Sequence, residues 1–307
     1  MSLGGTSDLE FVNAGRQFES DRWLSNIGDK NKMGGLLFGT AGVPRSARTA
    51  STVDGIERIA ELGLDCMEME FVQGVKMGEV AARLVGEAAA RTGVKLSAHA
   101  PYFINLNAQD MEKVRASQSR ILQTARIAAL CRAESVVFHA AFYMGQSPEA
   151  VYETVRKHLG EVLDQLEREE IQVCIRPEVT GKSSQFGTIE ELVNLSAELE
   201  GVAPCLDFSH WHARTGKFNS YPEFEAVLLQ VRQRLGEGAL ENIHIHVSGI
   251  SYGKKGEIKH LNLEESDFRY RELLKVLEDY NVQGMVICES PNLEEDALLL
   301  QAACRGL

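Results

Sequence analysis

The chain has 307 residues, of which 44% are hydrophobic and 25% charged, so it is long enough for one large core or two small ones. Its apolar runs are far shorter than the roughly 20 residues that span a bilayer. The N-terminal sequence MSLGGTSDLEFVNAGRQFESDRW is too polar for a signal peptide, and we therefore expect a cytoplasmic protein. The formal net charge of −12 argues against broad nucleic-acid binding through a basic surface, although carboxylate ligands count as negative until their cations are added.

The N-terminal residues and the cysteines provide little information about function. Residues 1–33 lack clear periodicity, so we predict an N-terminal extension whose first residues, MSLGG, resemble an expression tag. Six cysteines occur without any CxxC pair, and four lie inside apolar runs. We interpret them as reduced packing residues and exclude a disulfide framework or a zinc knuckle.

Short apolar runs alternate with amphipathic segments from Leu36 to the C-terminus. In order they are LLFGTAG (36–42), CMEMEFV (66–72), KLSAHAP (95–101), SVVFHAAF (135–142), QVCIRPEV (172–179), APCLDFSH (203–210), NIHIHVSG (242–249) and GMVICESP (284–291). Such near-continuous runs are typical of parallel strands covered on both faces. The segments between them, such as YRELLKVLEDY, repeat apolar residues at helical spacing. Eight strand–helix units without a composition break predict one (β/α)8 TIM barrel domain over residues 34–307, and no GxGxxG supports a dinucleotide-binding fold.

The active site of such a barrel lies at the C-terminal ends of its strands. The polar residues that close the runs are Glu70, His99, His139, Glu178, Asp207 with His210, His246 and Glu289, and His260 follows the seventh run. One histidine or acid at a strand end is usually a capping or solvated residue. Many of them converging on one rim predict a metal centre, because buried carboxylates without partners would cost several kcal/mol each.

The ligand types constrain the metal. Imidazole mixed with carboxylate suits zinc, with manganese or iron as alternatives, and the lack of thiolate ligands excludes a structural zinc site. The candidates exceed what one ion needs, which predicts two or three ions per chain. His212 and His244 duplicate better-placed neighbours and are not predicted to be ligands, and His158 is predicted to lie on the surface of a helix.

Several segments together resemble the endonuclease IV family. They are AHAPYFINL (98–106), VVFHAAF (136–142), RPEVTGK (176–182), LDFSHWHAR (206–214), IHVSGISYGKKGEIKHL (245–261) and ICESP (287–291). Members of that family are apurinic/apyrimidinic endonucleases on a (β/α)8 barrel with a trinuclear zinc cluster. The resemblance covers nearly the whole barrel, and the wider xylose isomerase-like superfamily shares the barrel and some of the strand-end acids.

The resemblance also implies a distribution of ligands over three zinc ions. It assigns His99, His139 and Glu178 to one ion, Glu178, Asp207, His246 and Glu289 to a second, and His210 and His260 to a third. The family usually has an Asp two residues before the last His, and this chain has Ile258 there, with Glu257 beside it. Either Glu257 substitutes, or water does, or the third site is weak.

Tyr102 and Phe103 match the positions where the family places residues that enter the DNA stack beside the lesion, although an exposed aromatic pair could simply cover the barrel mouth. The loop after the second run, VQGVKMGE, offers Lys76 but no arginine for this purpose. Positive residues on the same rim suit phosphate contacts, but each alone is equally compatible with a solvated loop charge. They are Arg45, Arg48, Lys254, Lys255 and Lys259.

The leading hypothesis is therefore a monomeric, zinc-dependent endonuclease that hydrolyses the phosphodiester 5′ to abasic sites in double-stranded DNA, as in base excision repair, with Glu178 bridging two ions. The alternative is a sugar isomerase or epimerase that binds one ion through Glu178, Asp207, His246 and Glu289. The acidic net charge and Glu70 favour it, and the additional histidines do not. A third possibility, raised by Ile258, is a metal or nucleic-acid binder that has lost turnover.

Overall fold

The computed structural model describes residues 35–306, so the predicted extension over residues 1–33 lies outside the described part of the chain. The barrel strands are β1 (Leu36–Ala41), β2 (Cys66–Glu70), β3 (Lys95–His99), β4 (Ser135–Phe138), β6 (Cys174–Pro177), β8 (Cys205–Asp207), β9 (Ile243–Val247) and β12 (Gly284–Cys288). All neighbouring pairs are parallel, in the order β6-β4-β3-β2-β1-β12-β9-β8. Bridges from Ile175 to Val202 and from Glu178 to Cys205 bring the two end strands together. The predicted (β/α)8 TIM barrel is confirmed.

Helices surround the sheet. They are α1 (Thr52–Leu62), α2 (Glu79–Thr92), α3 (Met111–Leu130), α4 (Pro148–Arg168), α5 (Ile189–Glu198), α6 (Phe208–Thr215), α7 (Tyr221–Leu235), α8 (Tyr270–Asp279) and α9 (Glu294–Arg305). Side chains at the N-termini of several helices accept a backbone N–H, as Ser51 does for α1 and Thr188 for α5. The main core lies between sheet and helices and includes the fully buried Phe138, Phe208 and Phe224.

The inside of the barrel divides into an apolar base and a polar mouth. Cys66, Met285 and Ile287 form a small buried cluster at the base, separate from the main core. Arg176 also points toward the base, where its guanidinium donates to the carbonyl oxygens of Pro204 at 3.1 Å and Asn242 at 2.9 Å. The base is therefore filled, and the strand-end acids and histidines face the open end.

Two small antiparallel sheets lie outside the barrel. One pairs β5 (Ala141–Phe142) with β7 (Gln185–Phe186), and the other is a hairpin of β10 (Gly249–Gly253) and β11 (Gly256–Leu261) that follows β9. The hairpin is important for the site because β11 ends with His260 and Leu261.

Two predictions outside the site can be compared with the structure. All six cysteines are free and five are buried, which confirms their packing role. The surface prediction for His158 is wrong: its side chain is buried and its Nδ1 lies 2.8 Å from the carbonyl oxygen of Leu106. This histidine fixes the segment after β3 against α4. Within residues 35–306, no helix is both long and apolar enough to cross a membrane.

Candidate metal centre

Four side chains from neighbouring strands form the middle of the site. Glu178 follows β6, Asp207 ends β8, His246 lies on β9 and Glu289 follows β12. Their ligand atoms all lie within 4.8 Å of one another. Each of the four has a buried atom that finds no hydrogen-bond partner among the described residues: Glu178 Oε1, Asp207 Oδ2, His246 Nδ1 and Glu289 Oε2. Such atoms are costly unless a ligand satisfies them, and three carboxylates around one imidazole suit a divalent cation. We call these four residues the barrel set.

Glu178 also contacts two histidines on the side of β3 and β4. His99 Nε2 lies 3.1 Å and His139 Nε2 3.0 Å from the same carboxylate oxygen, Oε2. His99 is buried and His139 is partly exposed toward the mouth. These three residues form a second group with metal-ligand spacing, so one carboxylate belongs to two groups.

The stretch from Asp207 to His210 connects the barrel set to a third group. Asp207 is the N-cap of α6, and its Oδ1 accepts the backbone N–H of His210 at 2.6 Å. This places His210 Nδ1 2.9 Å from Asp207 Oδ2 and 3.0 Å from Glu178 Oε1, but Nδ1 directs its hydrogen bond to the carbonyl oxygen of Val179 at 3.1 Å, so both carboxylate oxygens stay without a donor. The opposite nitrogen, Nε2, faces away from the barrel and lies 3.2 Å from Nε2 of His260.

The third group contains Glu257 as well as the two histidines. Glu257 Oε2 lies 3.7 Å from His210 Nε2, and His210, Glu257 and His260 together have metal-ligand spacing. Ile258, which occupies the usual acid position of the family, is 64% exposed. We call the three residues His210, Glu257 and His260 the hairpin set. Of the three alternatives for this site, the geometry favours substitution by Glu257.

A bulge in the hairpin explains why Glu257 faces the site. Ser251 pairs with Lys259 and Tyr252 pairs with Glu257, so Ile258 is an extra residue without a partner on β10. In a regular strand residues two apart share a face, and Ile258 would point the same way as His260. One extra residue shifts the alternation, so that Glu257, three residues before His260, takes the inward face.

The hairpin is held against the barrel by close backbone contacts. Glu257 N donates to the carbonyl oxygen of Gly181 at 2.9 Å. Gly256 has φ +96°, and a Cβ there would lie 2.1 Å from that oxygen, so a glycine is required. Lys182 Nζ lies 3.9 Å from Glu257 Oε2.

A second anchor lies on the far side of the hairpin. Tyr252 donates its hydroxyl to Asp267 Oδ2 at 2.7 Å, and His212 Nε2 lies 3.2 Å from Asp267 Oδ1. His212 therefore supports the site from α6 and belongs to none of the donor groups among the described residues.

The excess of carboxylates raises proton affinity in the site. Burial lowers the pKa of His99, but its hydrogen bond with Glu178 and the negative charges of Glu70 and Glu178 together outweigh burial and raise the pKa to about 10. Burial raises the pKa of Glu70, which closes β2, to about 8. Imidazoles facing carboxylates hold protons tightly, and a divalent ion must displace those protons to bind. The donors present therefore fit a metal centre.

One buried acid was missed in the sequence. Glu68 lies two residues before Glu70 on the same face of β2 and is fully buried below the barrel set. Its carboxylate lies 3.0 Å from Nε2 of both His244 and His246. Strand alternation could have revealed it, because inward-facing positions in this barrel are spaced by two. Burial lowers the pKa of His244 to about 4, so that histidine is neutral.

The mouth of the barrel carries exposed aromatic and basic residues. Tyr102 is 62% and Phe103 70% exposed, and the Tyr102 ring centroid lies 6.2 Å from that of His99. Lys254, Lys255 and Lys259 are exposed on the hairpin. Arg48, in contrast, forms salt bridges with two acids of α1, so its charge is already partly neutralised.

Comparison with known proteins extends these observations. The family described as "Xylose isomerase-like TIM barrel" matches residues 56–305. An uncharacterized protein of Methanocaldococcus jannaschii is 46% identical over 266 residues, covering 86% of this chain and 95% of that protein. A probable endonuclease 4 of Mycoplasma pneumoniae is 23% identical over 201 residues, covering 63% of this chain and 67% of the relative.

Solved structures from two activity classes share the fold. Endonuclease IV from Thermus thermophilus superposes with a TM-score of 0.67 at 21% identity, over 87% of this chain and 98% of that chain. A D-tagatose 3-epimerase-like protein gives a TM-score of 0.66 at 18% identity, over 87% of this chain and 96% of that chain. The fold alone therefore does not distinguish a nuclease from an epimerase, and the distinction depends on the side chains of the site.

Proposed function

Because the chain belongs to the xylose isomerase-like TIM barrel family, we propose that it is a zinc-dependent endonuclease that hydrolyses the phosphodiester 5′ to abasic sites in double-stranded DNA. One observation carries the proposal: two further donor groups flank the barrel set, one built on His99 and His139 and the other on the hairpin. A single ion in the barrel set would leave both flanking groups without a metal. The sequence relative named probable endonuclease 4 supports the same choice.

The three groups of donors would hold the ions. The residues are His99, His139 and Glu178 for one ion, Glu178, Asp207, His246 and Glu289 for the next, and His210, Glu257 and His260 for the third. When bound, divalent ions supply Lewis-acid stabilisation of the phosphoryl and leaving oxygens and lower the pKa of water to near neutrality. Glu178 holds the groups at a fixed separation because its two oxygens face histidines on opposite sides.

The residues around the mouth would bind the DNA. Exposed lysines of the hairpin would contact phosphates and set the register of the duplex. Tyr102 and Phe103 project at the edge of the site, where an aromatic ring can stack on a base that has lost its partner. A site without a base is the least costly position to open in a duplex, so few base contacts are needed for selection. The monomeric state and cytoplasmic location stay predictions.

A cleavage assay tests the proposal. Zinc-loaded protein is incubated with a duplex oligonucleotide that carries one tetrahydrofuran abasic analogue, and with the same duplex without the lesion. We expect one break on the 5′ side of the analogue and none in the intact duplex. Tight binding without a strand break would instead support a binder that has lost turnover.

The second candidate is a sugar epimerase or isomerase. Glu70 favours it, since this partly buried acid has no place in the three donor groups, and its buried Oε1, without a hydrogen-bond partner among the described residues, could face a substrate hydroxyl. An elemental analysis separates the two candidates. One ion per chain, bound in the barrel set alone, together with turnover of a ketose, would establish the epimerase and remove the nuclease.

A further inference from the structure

We infer that Glu68 is a positioning residue that fixes which nitrogen of His246 faces the metal centre. This inference rests on the proposed metal site, but not on the nucleic-acid substrate. Glu68 lies on β2 and His246 on β9, on different sides of the barrel, so their contact crosses the interior.

The two oxygens of Glu68 face different groups. Oε1 lies 3.0 Å from Nε2 of His246, and neither atom has another hydrogen-bond partner among the described residues. Oε2 accepts the hydroxyl of Ser97 at 2.7 Å and lies 3.0 Å from Nε2 of His244. Glu68 and both histidines of β9 are at most 2% exposed, so water is excluded from this layer. Ser97 and His244 hold the carboxylate from one side and leave Oε1 for His246 alone.

The two ring nitrogens of His246 face different groups. Nδ1 points toward the mouth, 3.6 Å from Glu178 Oε1 and 3.4 Å from Glu289 Oε1. A neutral imidazole carries one proton, and the nitrogen with the closer carboxylate oxygen keeps it: that oxygen is 3.0 Å from Nε2, against 3.4 Å and 3.6 Å for the oxygens near Nδ1. The proton therefore resides on Nε2, and the lone pair of Nδ1 is directed into the barrel set.

A different coordination can be imagined below the barrel set. Cys205, His244 and His246 also have metal-ligand spacing. Glu68 argues against an ion held there, because its carboxylate oxygens already lie 3.0 Å from Nε2 of both histidines.

The direct test observes the histidine nitrogens. The zinc-loaded protein is labelled with 15N-histidine, and long-range 1H–15N spectra identify which nitrogen of each ring is coordinated. Loss of one ring system in His246→Gln assigns the signals. We expect His246 to be coordinated through Nδ1 and protonated at Nε2. Coordination through Nε2 overturns the inference, whatever the substrate of the enzyme is.

A substitution tests the cause. In Glu68→Gln one carboxylate oxygen becomes an NH2 group, so the side chain can no longer accept a hydrogen bond from both His244 and His246. Outer partners of metal-bound histidines typically contribute about 10- to 100-fold in metal affinity. We expect a loss of that size in chelator competition. Thr124→Val is the matched control, because it removes an equally buried hydroxyl that donates to Arg120 within its own helix, and it should keep affinity close to wild type. A Glu68→Gln variant with wild-type affinity and Nδ1 coordination would contradict the positioning role.

Both outcomes stay separate from the nuclease proposal. Failure to cut abasic DNA, with zinc bound through Nδ1, removes the proposed activity and leaves the role of Glu68 intact. If Glu68→Gln does not fold, the coordinated nitrogen in the wild-type protein alone decides.

Discussion

The barrel set and the hairpin set are built on different supports, although His210 lies within hydrogen-bonding distance of Glu178, which belongs to the barrel set. The barrel set is carried by strands paired on both sides, and Glu68 supports it from below. The hairpin set depends on a two-stranded element with a bulge, held by a few contacts to neighbouring loops. Rigid strands fix side chains more precisely than loops do, so we expect the barrel set to bind its ions more tightly.

The largest expected effect comes from replacing Glu178, the carboxylate shared by the barrel set and the group of His99 and His139. Glu178→Gln should lose zinc from more than one group and reduce cleavage by roughly 1,000-fold, because one carboxylate contacts His99, His139 and His210. Elemental analysis and the abasic-site assay measure the two effects. Glu200→Gln, at an exposed position, is the control. Full zinc content with full cleavage in Glu178→Gln would disprove the shared cluster.

The second-largest effect is a loss of metal affinity at the hairpin set alone. Glu257→Ala should weaken one ion per chain on the order of 100-fold and spare the others, because Glu257 belongs to one donor group only. Chelator titration followed by metal analysis resolves the tight and weak ions.

Ile258→Asp provides a matched test of the bulge. Placed in the Glu257→Ala background, the new acid should not restore the weak ion, since position 258 points to solvent. Restored binding would show that the hairpin pairs in regular register, without the bulge at Ile258.

A smaller effect is expected from the outer anchor of the hairpin. Asp267→Ala removes the partner of Tyr252 and His212 and should lower affinity in the hairpin set by about 10-fold, with the barrel set unchanged. Equal losses at all ions would mean that the anchor stabilises the whole fold and not the hairpin, which a thermal unfolding curve of the metal-free protein can check.

The smallest effect has the opposite sign. Lys182 Nζ lies 3.9 Å from Glu257 Oε2 and competes with a cation for that oxygen. Exposed ion pairs contribute about 0.2–1 kcal/mol, so Lys182→Ala should tighten the weak ion by at most about fivefold. Lys217→Ala, at another exposed lysine, is the comparison. Weaker binding in Lys182→Ala would show that Lys182 instead supports Glu257.

The contrast between strand ends and hairpin also explains which site residues could be predicted from the sequence. Strand-end residues such as His99, Asp207 and Glu289 were predictable, because parallel strands in a barrel must end at one rim. Glu257 could only be left as one of three alternatives, since a bulge is a local change of register that no apolar pattern reveals. His158 was misplaced because the prediction did not consider that it lies three residues after Val155, on the buried face of α4. Glu68 was overlooked because the prediction considered strand ends and not the layer below them.

The bulge at Ile258 affects how metal ligands are identified in a sequence alignment. A column-by-column search for the acid two residues before the last histidine meets isoleucine and scores a lost ligand. The structure nevertheless places the Glu257 carboxylate at metal-ligand spacing from His210 and His260, because the bulge turns position 257 toward them. A change of register can thus move a donor to a neighbouring position of a hairpin, and an apolar residue in one column does not by itself mark a lost ligand.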